Sequence, residues 1–155
     1  MTYTSRPIAP FKIDILSVGE PSSYTAGQKI PFTGTPNNTT SSISSGQITI
    51  YEGSNWRIEF SPVFAGDATY GRCQFKVQLY SVTDDDYIGN SAWGTTETQN
   101  HTKKGRVVAT ALILSSEIST SKVIEARIVS QSGITNASTY DYVGKPTLRV
   151  MELPA

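Results

Sequence analysis

The sequence predicts an all-β protein, an antiparallel β-sandwich of the jelly-roll type with an extended N-terminal arm. Three observations lead there. The β-branched residues (14 Ile, 10 Val and 19 Thr) far outnumber the 6 Leu and 2 Met, a balance that suits pleated strands better than helices. Short segments of strictly alternating polarity recur between clusters of Gly, Pro, Asn, Asp and Ser, as in sandwiches and barrels. No stretch of helical periodicity is long enough for a stable helix. A chain of 155 residues has room for one core, and eight or so strands in one core make the jelly roll the natural choice.

Taken in order, residues 1–10 contain Pro7 and Pro10 and no periodicity, so they read as an arm ahead of the folded body. Phe11, Ile13 and Ile15 alternate with Lys12 and Asp14, the pattern of a half-buried first strand. A short strand at 28–33 follows. Residues 34–46 are almost devoid of apolar side chains and read as a loop or mobile linker, which divides the chain into an attachment segment, 1–45, and a jelly-roll domain, 46–155. Within the latter, Ile48 and Ile50 precede a Gly53 turn, and Trp56, Ile58 and Phe60 face opposite Arg57 and Glu59. Cys73, Phe75, Val77 and Leu79 form the next inward stripe, closed by a turn at Asp84-Asp85-Asp86. Ile124, Ala126 and Ile128 form another, and Leu148, Val150 and Glu152 share a face of the last strand.

The strand expected at 106–114 is different because both faces are apolar. Val108, Leu112 and Leu114 lie on one side, and Val107, Ala109, Ala111 and Ile113 on the other. An ordinary solvated sandwich strand needs one apolar face. The small-residue face, Val107, Ala109, Ala111 and Ile113, is therefore the expected contact with another protomer; the alternative is a central strand covered by the chain's own loops.

The chemistry available is sparse. The single histidine, His101, lies in a polar loop, and the single cysteine, Cys73, occupies an inward strand position and reads as a buried structural thiol. The nucleophile-elbow, phosphate-loop and zinc-helix motifs are missing, and the Asp84–Asp86 cluster lacks the spacing and glycine of a calcium loop. No enzyme activity, cofactor or metal is expected. Thirteen basic residues balance thirteen acidic ones, so nothing draws the chain to nucleic acid, and no run approaches the roughly 18 apolar residues of a membrane span. The aromatics Tyr70, Tyr87, Trp93, Tyr140 and Tyr142 sit in loop-like surroundings, as a sugar- or protein-binding surface or as plugs of the sandwich ends and protomer seams.

The order of cues from Gly46 to Leu153 resembles a known family. It runs Gly46-Gln-Ile-Thr-Ile, Trp56-Arg-Ile-Glu-Phe, Cys73-Gln-Phe-Lys-Val-Gln-Leu-Tyr-Ser-Val-Thr-Asp, Ile88-Gly-Asn-Ser-Ala-Trp-Gly, the apolar stretch 106–114, Lys122-Val-Ile-Glu-Ala-Arg-Ile and Thr147-Leu-Arg-Val-Met-Glu-Leu. This is similar to the TNF-like, complement-globular-head type of jelly roll found in phage head fibres, capsid decoration proteins and tail-fibre tips. The family's closing aromatic is absent here, and residues 1–45 carry no match. The resemblance implies a homotrimer without catalytic function, placed on the surface of a virion assembled in the host cytoplasm. With only about 45 residues ahead of the jelly roll, a compact decoration or head-fibre protein fits better than a fibre tip. Arg6, Pro7, Pro10, Phe11 and Ile13 are the expected contact with a major capsid or other virion protein. A receptor- or glycan-binding tip, using Tyr87 and Trp93 on a host surface glycan, is the alternative.

Overall fold

The computed structural model describes residues 11–66, 72–97, 104–137 and 145–155. Its strands, fourteen among the described residues, are β1 (Lys12–Val18), β2 (Lys29–Ile30), β3 (Phe32–Thr33), β4 (Ser42–Ser44), β5 (Gln47–Tyr51), β6 (Ser54–Ser61), β7 (Val63–Gly66), β8 (Arg72–Ser81), β9 (Asp86–Glu97), β10 (Lys104–Arg106), β11 (Ala109–Ile113), β12 (Ser121–Ser132), β13 (Ile134–Ala137) and β14 (Thr147–Pro154). One 3-10 turn, Ser115–Glu117, follows β11.

Sheet A runs β11-β6-β14-β1-β3, sheet B runs β4-β5-β12-β8-β9 with β2 also on β12, and a small sheet C runs β10-β7-β13. Every ladder is antiparallel. The count exceeds the eight or nine expected partly because strands divide where the chain changes sheet, twice at a proline. Ile30 pairs with β12 and Phe32 with β1, so the chain crosses the sandwich at Pro31. Pro62, with no N–H to donate, separates β6 from β7. The expected strand 106–114 is likewise two strands, Arg106 ending β10 in sheet C and Ala109 opening β11 in sheet A.

Trp56, Phe32, Phe60, Phe64 and Phe75 are fully buried between the sheets, with Phe32 edge-on to Phe60 at 5.8 Å and Phe64 tilted against Phe75 at 4.4 Å. Side chains of this size supply most of the apolar area a small sandwich withdraws from water. The Trp56 indole N–H donates to the Tyr51 carbonyl at 2.9 Å, which lets a polar atom sit inside without loss. Cys73 is buried with them, as expected. The hairpin joining β4 to β5 turns on Ser45 and Gly46, both at positive φ, the pairing a two-residue turn of matching twist requires.

The N-terminal region departs from expectation in two ways. The sandwich does not begin at residue 46, for β1 lies inside sheet A between β14 and β3. Nor is 34–46 a free linker. Residues 42–44 form β4, and the stretch before it is pinned by two buried carboxylates. Asp14 accepts hydrogen bonds from the backbone N–H groups of Asn37, Asn38 and Thr39 and from the Thr39 hydroxyl. Glu152 accepts from the N–H and hydroxyl of Thr40 and from the Ser54 hydroxyl.

Candidate functional site

Because adjacent strands are in known register, the outer face of sheet A can be read as rows across the sheet. One row is Ile13, Met151, Arg57, Leu112, and the next is Ile15, Arg149, Glu59, Thr110. Apolar side chains therefore stand at both margins. Phe11 and Ile15 are 60% and 64% exposed beside β1, and Val108, Leu112 and Leu114 are 48%, 60% and 45% exposed along β11. Between them runs a charged seam in which the Glu59 carboxylate pairs with Arg57 at 2.7 Å and Arg149 at 3.3 Å.

This arrangement corrects two sequence expectations. Ala109, Ala111 and Ile113 are buried in the chain's own core, against Phe60, Ile58 and Trp56 in register, and Val107 is half-buried against it. Ala109, Ala111 and Ile113 therefore offer no surface to another protomer, and Val107 only a partial one. The apolar surface offered by this stretch is the opposite one, Val108, Leu112 and Leu114. On β1 the faces are also reversed, with Asp14, Leu16 and Val18 inward and Phe11, Ile13 and Ile15 outward. Phe11 and Ile13 thus remain on a surface, while Arg6, Pro7 and Pro10 lie outside the described residues.

The outer face of sheet B collects the aromatic candidates. Tyr87 lies opposite Tyr80 and Trp93 opposite Lys76 on neighbouring strands, so both project from the same face about 13 Å apart at the usual strand rise. Trp93 is 57% and Tyr87 37% exposed. Tyr87 meets Tyr80 edge-on at 5.1 Å, and the Arg127 guanidinium lies 3.3 Å from the Tyr80 ring centroid. Arg127 is held by Glu125 at 2.6 Å, and Glu125 also accepts from Gln47. The Tyr80 hydroxyl donates to Asp85, and that hydrogen bond raises it above its ordinary value. Tyr70, Tyr140, Tyr142 and His101 lie outside the described residues.

The arginine seam and the outward Ile15 were missed at the sequence level, although alternation in β6 and β14 already placed Arg57, Glu59 and Arg149 on outward positions. Only strand order, β6 beside β14, makes them one cluster. Among the described residues no three His, Cys, Asp or Glu side chains converge as a metal site.

No protein-family model and no curated protein matches the chain. Solved structures do. The crystal structure of murine APRIL at pH 8.0 superposes with a TM-score of 0.61 at 7% identity, covering 93% of this chain and 100% of that one. Eiger TNF from S. frugiperda superposes with a TM-score of 0.64 at 7% identity, covering 94% of each chain. At such identity the likeness speaks to architecture, and the chain is a jelly-roll sandwich of the TNF-like type.

Proposed function

We propose that this protein is a self-associating, non-catalytic module, a homotrimer formed through the outer face of sheet A. The observation that carries the reading is the pair of exposed apolar margins, Phe11 and Ile15 at one side of the sheet and Val108, Leu112 and Leu114 at the other. Two different margins on opposite sides suit a head-to-tail contact, in which the β1 side of one copy meets the β11 side of the next; such contacts form a ring where the rotation closes. The TNF-like fold and the sequence resemblance support three copies as the closing number. Light scattering is expected to return about three times 16.8 kDa, and Leu112→Glu to return a folded single chain with a lower melting temperature, since association stabilises the native state. A monomeric wild-type protein at micromolar concentration overturns the reading.

The same resemblance supports a place on a virus particle, as a capsid decoration or head-fibre accessory that meets a shell protein through its N-terminal end. Deleting residues 1–10 is expected to leave a folded trimer that no longer attaches to particles, and full attachment overturns it. A second reading, binding of host glycan, is favoured by one observation, that Tyr87 and Trp93 stand on the same outer face of sheet B.

A further inference from the structure

Where β10 approaches the outer face of sheet A there is a cavity of about 210 Å³ lined by Glu59, Ser61, Arg106, Val108, Thr147 and Arg149. Arg106 is fixed over it by donating to the Ser61 hydroxyl at 3.2 Å and to the Lys145 carbonyl. A guanidinium carries five donors, and among the described residues these two bonds are what Arg106 makes. Arg149 spends one donor on Glu59 at 3.3 Å, a carboxylate it shares with Arg57. The lining holds two cations against one anion that Arg57 also neutralises, so the site keeps a net positive charge.

We propose that this cavity is a binding site for a monoanionic aliphatic carboxylate. The planar fork of an arginine matches the two oxygens of a carboxylate. The Ser61 and Thr147 hydroxyls add hydrogen-bonding partners, and Val108 supplies an apolar wall for the alkyl stem. The cavity falls below the range typical of drug-sized ligands, which suits a short acid. The cavity opens on the outer face of sheet A, the face proposed for self-association, so a partner's acidic side chain reaches it only if that proposal holds. The occupant is a free small carboxylate or an acidic side chain of a second copy, and one experiment separates the two.

Propionate is titrated into labelled protein at constant ionic strength, with chloride as control, following the arginine Nε–H signals by NMR while solution mass is measured in parallel. Saturable shifts at Arg106 and Arg149 are expected. Arg106→Gln and Arg149→Gln are each expected to weaken binding about tenfold. Glu59→Gln, which removes the internal competitor for Arg149, is expected to tighten it. Saturable binding at constant mass identifies a free ligand. A mass that falls with propionate, and falls in Arg106→Gln without it, identifies a partner's carboxylate. Shifts no different from chloride, together with an unchanged mass for Arg106→Gln, overturn the site.

Discussion

The side-chain amide of Asn90 replaces a missing strand beside Thr110. Its Oδ1 accepts the Thr110 backbone N–H at 2.7 Å, and its Nδ2 reaches the Val108 carbonyl at a longer 3.4 Å. Strand β11 is an edge of sheet A, and an edge with free backbone groups invites unwanted pairing. The approach of β9 that permits this seal depends on Gly89, whose φ is +69°, because a Cβ there would stand 2.0 Å from the Thr110 carbonyl oxygen.

Asn90→Ala is therefore expected to cost about 1 kcal/mol, mostly from the shorter bond, and to raise aggregation by reopening the edge. Gly89→Ala combines strain with a backbone collision and is expected to cost more, about 2–3 kcal/mol. Urea midpoints with light-scattering controls check both; a Gly89→Ala protein as stable as wild type contradicts the close approach.

Asp14 and Glu152 make the fold acid-sensitive. Burial raises both carboxyls, but hydrogen bonds outweigh it, from Thr39, Asn37 and Asn38 to Asp14, and from Thr40 and Ser54, with nearby Lys12, to Glu152. Both are thereby held below their ordinary values of 3.8 and 4.5. A depressed folded pKa means that the unfolded chain binds more protons. The stabilisation is thus complete above the ordinary values and lost as pH falls through the lower folded ones. Stability is expected to drop below about pH 4.5, with faster amide exchange at Asn37–Thr40. Asp14→Asn is expected to cost about 2–3 kcal/mol at neutral pH and to flatten the acid limb. An unchanged acid limb in that variant would falsify the latch.

The β8–β9 hairpin holds a second dependent charge. Lys122 is 7% exposed and its ammonium sits 2.6 Å from Asp84. The Lys122 hydrogen bond, with that of Ser81, holds the Asp84 carboxyl below its ordinary value against the opposing effect of burial. Asp84 keeps water access, which discounts the pair. Asp84→Ala is expected to cost about 2 kcal/mol by stranding the ammonium, whereas Lys122→Met, which removes the buried charge, is expected to cost less than half of that. Equal losses in the two variants contradict the reading.

For the glycan reading, Trp93→Ala is expected to abolish any selective signal on a glycan array while leaving the solution mass and melting temperature unchanged, since Trp93 is exposed and lies away from sheet A. A wild-type protein with no selective signal removes the reading.

Most strands were legible because period-two alternation is a local property. β6, β8, β12 and β14 fall where Trp56, Phe75, Ile124 and Leu148 place them, with those residues inward. Alternation groups residues onto a face but does not say which face turns inward when both are apolar. In the 106–114 stretch that choice was made by the register of β11 on β6, which sets Ala109, Ala111 and Ile113 against Phe60, Ile58 and Trp56. In β1 it was made by Asp14, whose carboxylate is buried because Asn37, Asn38 and Thr39 supply donors from about 25 residues away.

What the sequence by itself determined is the class of structure, since β-branched composition, turn spacing and strand period act between near neighbours along the chain. The tertiary structure decided which surface is left over. The apolar margins of sheet A, the arginine-lined cavity and the pairing of Tyr87 with Tyr80 each depend on strand order and register. These follow from long-range contacts that compete for the same core, and burial of one face of a strand leaves the other as the surface on which function is carried.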